Sequence, residues 1–263
     1  MTVSSFRTHR ETFSDGLTVR VDECGSGRAM LVVHGAAGPH SVSGFAEAMA
    51  EHAHVLVPTH PGFAGEPRPE WFADVDDLAI TYLDLLERRD LREVIVVGFS
   101  FGGWIAAEMV ARTPTRVGGL LLVDAAGIEV EGHAIKRPGP PPNGPRWPAD
   151  PPNPEQAAAR DANMQALAVY GREGMYDPKL RRRLARVTLP TLVVWGEDDP
   201  IIDTDYGRAY AQSFPNARFT LIPGAGHLPQ RDQPARLFSI AREFMNGIPF
   251  NHAVAEVPHR KSK

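Results

Sequence analysis

The sequence predicts an α/β fold: a mostly parallel sheet of eight strands, flanked by helices on both faces. Three observations carry this. Six short apolar runs recur along the chain: AMLVVHG (29–35), HVLVPTH (54–60), EVIVVGFS (93–100), GGLLLVDA (118–125), PTLVVWG (190–196) and RFTLIPG (218–224). Continuous apolar runs of this length suit strands buried on both sides, as in a parallel sheet. The longer segments between them have helical character, and strands alternating with helices give a covered parallel sheet. Ahead of the runs, FRTHRETF (6–13) and LTVRVDEC (17–24) flank Ser-Asp-Gly and predict an antiparallel hairpin with one wet face.

The helices follow in order. Asp74 is placed to cap a helix over 75–88, with Leu78, Tyr82, Leu85 and Leu86 at helical spacing. A second runs from Phe101 to Arg112 and stops before Thr113-Pro114. A third spans Pro234 to Met245 and ends at Asn246-Gly247.

Residues 126–187 interrupt the rhythm, because they are too many for one crossover helix. The chain has 24 prolines, and nine of them fall between Pro138 and Pro154. That stretch excludes helix and inner strand, since proline lacks the amide donor. Asn153 as N-cap, Pro154 at the first helical position and Gln156 as capping-box partner then predict a helix to about Tyr170, stopped by Gly171. Met164, Leu167 and Ala168 are expected to share a face. A shorter helix starts at Asp177-Pro178 and runs through Arg186. The reading is one core, residues 1–125 and 188–250, with an inserted helical, proline-rich lid at 126–187 between strands 6 and 7. Residues 251–263 are expected to form a flexible tail.

Composition narrows the function. At 43% hydrophobic and 23% charged, the 263 residues suit a soluble globular protein. A net charge of −4 argues against nucleic acid or an anionic membrane as partner. With one cysteine, Cys24, no intramolecular disulfide can form, and a cytoplasmic setting fits. The N-terminus lacks the features of a signal peptide, and no apolar run approaches the ~20 residues of a membrane span. The expected partner is a small-molecule substrate, with the protein a monomer or homodimer.

The stretch VIVVGFSFGG (94–103) carries the chemistry. Gly-x-Ser-x-Gly closing a strand and opening a helix is the nucleophile-elbow pattern, in which a strained serine backbone projects its hydroxyl above the sheet edge. Gly98 and Gly102 are expected where strand and helix come too close for a Cβ. A serine hydroxyl needs a base and the base an orienting carboxylate. His227, in IPGAGHLPQ after the last strand, is the base candidate. Asp198, Asp199 and Asp124 all lie just beyond strands at the ligand-binding edge of such a sheet. Asp199 is favoured, because the order Ser100, Asp199, His227 suits this turn. Asp124 remains the alternative acid or a cap at the start of the insertion.

The oxyanion is expected at the amides of Phe101 and Ala36, the latter in HGAAG (34–38), with Ala37 as second choice. His34 reads as a structural tie for that loop. Substrate-lining candidates are Ala37, Phe99, Trp104, Trp147, Met164, Leu167, Tyr170 and Leu228. Arg181 to Arg183 form a basic run expected to be solvated. No histidine or cysteine pair has metal-ligand spacing, and no dinucleotide or phosphate-loop fingerprint occurs, so neither metal nor cofactor is expected.

From Phe6 to Gly247 the chain resembles the α/β-hydrolase superfamily, through HGAAG, HPGFAGEPRP, GFSFGG, WGEDDP and GAGH in order. His60 stands where the family more often has aspartate. The resemblance implies the acid three residues after the glycine of Trp-Gly, which is Asp199; some members carry it after the sixth strand, which keeps Asp124 open. A serine at position 100 sets the chain apart from the aspartate-nucleophile dehalogenases and epoxide hydrolases of this fold. The implied activity is hydrolysis of a carboxylic ester, lactone or related acyl bond in a small to medium, largely apolar substrate. The superfamily's carbon-carbon bond (meta-cleavage) hydrolases, its perhydrolases and its hydrolase-like signal receptors are the alternatives.

Overall fold

The computed structural model describes residues 6–136, 154–171 and 174–250. The proline-rich stretch before Pro154, with Asn153 and Trp147, and the tail beyond 250 lie outside them. Eight strands form one sheet in the order β1-β2-β4-β3-β5-β6-β7-β8. They are β1 (Arg7–Thr12), β2 (Thr18–Gly25), β3 (Ala29–Val33), β4 (His54–Pro58), β5 (Val94–Phe99), β6 (Val117–Val123), β7 (Thr191–Gly196) and β8 (Ala217–Ile222). β1 and β2 form the expected hairpin, Thr12 opposite Thr18, and β2 is also antiparallel to β4. From β4 to β8 every pairing is parallel.

The apolar runs are continuous because each inner strand feeds two cores. Leu31, Val33, Val96, Leu120, Leu122, Val193 and Trp195 face one core. It is covered by α2 (Val75–Arg88), α3 (Phe101–Arg112) and α6 (Thr204–Gln212). Met30, Val32, Ile95, Val97, Phe99, Leu121, Val123 and Val194 face the other, under α1 (Ser43–Met49) and α8 (Pro234–Asn246). α2 begins at Asp74 in a capping box, where Asp77 accepts from the amides of Ala73 (2.8 Å) and Asp74 (3.0 Å). α1 and α6 are additions to the sequence reading. α1 is seven residues long, too short for a periodic signal. α6 has a local one, Asp203 capping Tyr206 N at 3.0 Å.

The segment between β6 and β7 contains α4 (Pro154–Tyr170) and α5 (Leu180–Leu184). α4 buries Asn163, Ala166 and Tyr170, while Met164 is 48% exposed and Ala168 is also on the outside. The expected face is therefore rotated. The reason is polar: Asn163 Oδ1 accepts from Ala64 N (2.7 Å), and Tyr170 donates to Pro61 O (2.9 Å), so the loop after β4 sets the helix's rotation. Tyr170 packs among Phe63, Phe72 and Phe101. α5 is tied to α3 by Arg183, which pairs with buried Glu108 (2.7 Å) and with Asp177 (2.5 Å). Of the basic run, only Arg181 and Arg182 are solvated.

Beneath the loop after β3, His34 and His60 are fully buried, with rings stacked 3.6 Å apart. His34 Nε2 accepts from His60 N (3.2 Å), so its proton sits on Nδ1, facing Gly35 O (2.9 Å). His60 donates from Nε2 to His34 O (2.9 Å), and its Nδ1 accepts from Tyr82 of α2. Both rings are neutral: burial pushes His34 down to about 4 and His60 well below its usual range.

Gly102 lies so close to β3 that a Cβ would come 2.1 Å from Val33 O and 2.5 Å from His34 O. Gly102→Ala is therefore expected to destabilise the protein by about 3 kcal/mol, read from the urea midpoint. The histidine pair makes a second expectation. The unfolded chain takes up protons below about pH 6.5 that the folded rings refuse, so stability falls with pH from there towards 4, by on the order of 3 kcal/mol for His34. Denaturation of wild type and His60→Gln across this window isolates the His60 share from other titrating groups. The variant should lose stability less steeply, and parallel curves would contradict a neutral buried His60.

Candidate active site

Chain order in the sheet reverses beside β3: β4 lies on one side of it and β5 on the other. Loops leaving the carboxyl ends of β3 and β5 diverge there, opening the crevice in which open α/β sheets bind ligands. Gly35 and Ser100 stand at that point.

Ser100 joins β5 to α3 with φ 50 and ψ −115, a conformation a non-glycine residue rarely adopts. Backbone bonds fix it: Ser100 N donates to Val123 O (2.9 Å), while its carbonyl accepts from Gly103 N (2.9 Å) and Ala126 N (3.1 Å). A Cβ at Gly98 would lie 2.6 Å from Gly103 Cα, and one at Gly103 2.4 Å from Ala125 Cβ. The tight glycine packing therefore holds the turn, and the side chain points out of it.

The loops after β7 and β8 bring the other two groups. They touch closely, since a Cβ on Gly196 would come 2.1 Å from Gly226 O. His227, 9% exposed, follows Gly226 and precedes the short helix α7 (Pro229–Asp232). Its Nε2 lies 2.9 Å from Ser100 Oγ, and its Nδ1 2.7 Å from Asp199 Oδ2. An ionised Asp199 accepts only, so Nδ1 carries the proton and the Nε2 lone pair faces the hydroxyl. The Asp199 side chain is fully buried, and its Oδ1 accepts from Ile201 N (2.8 Å) and Ile202 N (3.1 Å). The arrangement can move a proton from the serine oxygen to the imidazole and hold the resulting cation.

The Gly35 backbone passes close to the serine: a Cβ there would sit 3.0 Å from Phe99 O and 3.1 Å from Ser100 Cβ. Ala36 is half-buried and Ala37 exposed. Phe101 is the first residue of α3, and its ring is buried against His60, Phe63 and Trp104. α4 closes over this side, as a Cβ on Gly38 would come 2.5 Å from Asn163 Nδ2.

The remaining candidates are spread out. Phe99 turns to the α1 side and packs edge-on against Phe45. Trp104 is buried against Gly127 and lies 3.4 Å from Glu108. Leu167 is half-buried against the core, and Leu228 is buried next to His227. Asp124, 1% exposed, does not reach His227 and is no helix cap; its Oδ1 accepts from Gly196 N at 2.8 Å. Sequence reasoning did not find the support given by His60, Tyr82 and Asn163. Contacts such as His60 to His34, 26 residues apart, leave no spacing signal.

The chain is similar to known hydrolases. It is 28% identical to the 2-hydroxymuconate semialdehyde hydrolase of Pseudomonas sp. strain CF600, over 90% of this chain and 93% of that one. It is 24% identical to lipase 3 of Moraxella sp. strain TA144, over 85% and 79%. Among solved structures, a variant of the N-acyl homoserine lactonase AidH with N-hexanoyl homoserine superposes with a TM-score of 0.77, at 20% identity, over 94% of this chain and all of that one. A bacterial membrane phospholipase A superposes with a TM-score of 0.76 at 22% identity, over 93% and 87%. A family model described as the alpha/beta hydrolase family matches residues 30–240. With the eight-stranded, mostly parallel sheet and the helical insertion after β6, the chain belongs to the α/β-hydrolase family.

Proposed function

We infer that the protein is a serine hydrolase that cleaves a carboxylic ester, lactone or related acyl bond of a small to medium, largely apolar substrate. One observation carries this: the unbroken path from Ser100 Oγ through His227 to buried Asp199, at 2.9 and 2.7 Å, on a strained turn. Ser100 Oγ attacks the carbonyl carbon as its proton passes to His227 Nε2. Asp199 steadies the imidazolium without taking its proton. The tetrahedral oxyanion is held by the amides of Phe101 and Ala36, the first aided by the positive end of α3. His227 then gives its proton to the leaving oxygen as the carbon-oxygen bond breaks. Water, deprotonated by the same nitrogen, releases the acid and restores the serine.

Ala36 and Leu228 beside these groups are small or apolar, which suits an uncharged substrate. Lipase and lactonase relatives act on acyl-oxygen bonds by name. The 28% identity to a semialdehyde hydrolase favours one second reading, hydrolysis of a carbon-carbon bond next to a carbonyl with the same residues.

With p-nitrophenyl acetate as substrate, Ser100→Ala is expected to lower kcat by about 10⁶-fold and Asp199→Asn by about 10⁴-fold. Turnover by Ser100→Ala equal to wild type would remove the serine from the mechanism. A panel of p-nitrophenyl esters, N-acyl homoserine lactones and a 2-hydroxymuconate semialdehyde separates the two readings. The acyl-oxygen substrates should give the higher kcat/KM, and the reverse order would assign carbon-carbon cleavage.

A further inference from the structure

Asp124 takes no part in the path just described, yet it is built into its base. It directly follows β6 with φ 45, an unusual backbone for aspartate, and is buried to 1% exposure. Its amide donates to Val194 O (3.1 Å), and its Oδ1 accepts from Gly196 N (2.8 Å). These bonds hold it between the ends of β6 and β7 on the amide of Gly196, whose carbonyl accepts from Asp199 N (3.3 Å), so that the two carboxyls are neighbours. Its second oxygen, Oδ2, is buried and has no donor to accept from. An ionised carboxylate there would leave two like charges in contact and one lone pair of acceptors without a partner, at a large desolvation cost. A proton on Oδ2 removes both faults, because the neighbouring group is an acceptor.

We propose that Asp124 is a positioning residue for Asp199: it is held as the neutral carboxylic acid and donates its Oδ2 proton to the Asp199 carboxylate. The proposal rests on the reading of Asp199 as the partner of His227. The charged groups near Asp124 are Asp199, on the loop after β7, and Asp232, on α7, which accepts from Gly226 N at 2.9 Å. Both are acidic and both oppose ionisation of Asp124, as does its burial, which pushes its carboxyl well above the usual carboxylate range. Asp199 then has four donors: His227, Ile201 N, Ile202 N and Asp124. The added donor draws charge from the carboxylate. The carboxylate thereby stabilises a protonated His227 less.

Two measurements test this on the full-length protein. The infrared difference spectrum of wild type minus Asp124→Asn at pH 7 should contain a protonated-carboxyl stretch. The titration of His227, followed by its imidazole NMR signals, should be little changed in Asp124→Asn, whose amide still donates to Asp199. It should move up by about one unit in Asp124→Ala, which loses the donor. If Asp124 is ionised, the infrared band is absent and Asp124→Asn lowers the His227 titration, because a negative charge has been removed; either result overturns the proposal. A band with an unmoved titration in Asp124→Ala would overturn the positioning role. Neither readout needs turnover, so failure of the hydrolase reading on every substrate stays distinguishable. Should Asp124→Ala not fold, the band and the direction of the Asp124→Asn shift still decide.

Discussion

The site depends on one steric constraint, the close approach of α3 to the ends of β3 and β5. Glycines at 98, 102 and 103 permit it, and the backbone at Ser100 bends to φ 50 as a result. Such a conformation costs on the order of 1–3 kcal/mol, and it persists only where the surroundings over-determine it. Here they do, since the Ser100 amide and carbonyl are both hydrogen-bonded to the β6 end. The side chain has no room within the turn and so stands above the sheet edge, within 2.9 Å of His227.

Around this turn the buried titratable groups are divided by sign. His34 and His60 are kept neutral by burial and fixed as tautomers by a backbone donor, a backbone acceptor and Tyr82. Asp124 meets only acceptors or acidic neighbours beyond one amide. Asp199 is different: two backbone amides and an imidazole converge on it. The hydrogen-bond donors thus converge on the carboxylate behind His227, while the floor under the Gly35 loop stays uncharged. That pattern suits a site where charge is to develop on a substrate oxygen and on the imidazole alone.

The insertion after β6 is anchored at both its described helices. α4 rests on the loops after β3 and β4 through Asn163 and Tyr170, and α5 on α3 through Arg183 and Glu108. A carboxylate as buried as Glu108 would be costly alone, and Arg112 at 2.7 Å together with Arg183 offsets that cost. His60 ties the loop beneath α4 to His34 and to Tyr82 of α2 by neutral hydrogen bonds.

The sequence by itself determined the strands, most helices and the identity of Ser100, Asp199 and His227 as candidates, because each rests on local signals: apolar runs, caps, prolines and glycine-flanked turns. Helix α3 could be read to the residue for that reason. It could not determine which carboxylate meets His227, since Asp124 and Asp199 both lie just beyond strands, and only the register of β6, β7 and β8 decides which one the imidazole faces. Nor could it orient α4, whose inward face is chosen by Ala64 N and Pro61 O from a loop far away in the chain. Phe99 and Trp104, which local reasoning put beside the serine, are drawn into the two cores by the alternation of strand and helix faces. Local chemistry is written in neighbouring residues; mutual distance is set only when the strands pair and the helices pack, and that is what tertiary structure decided.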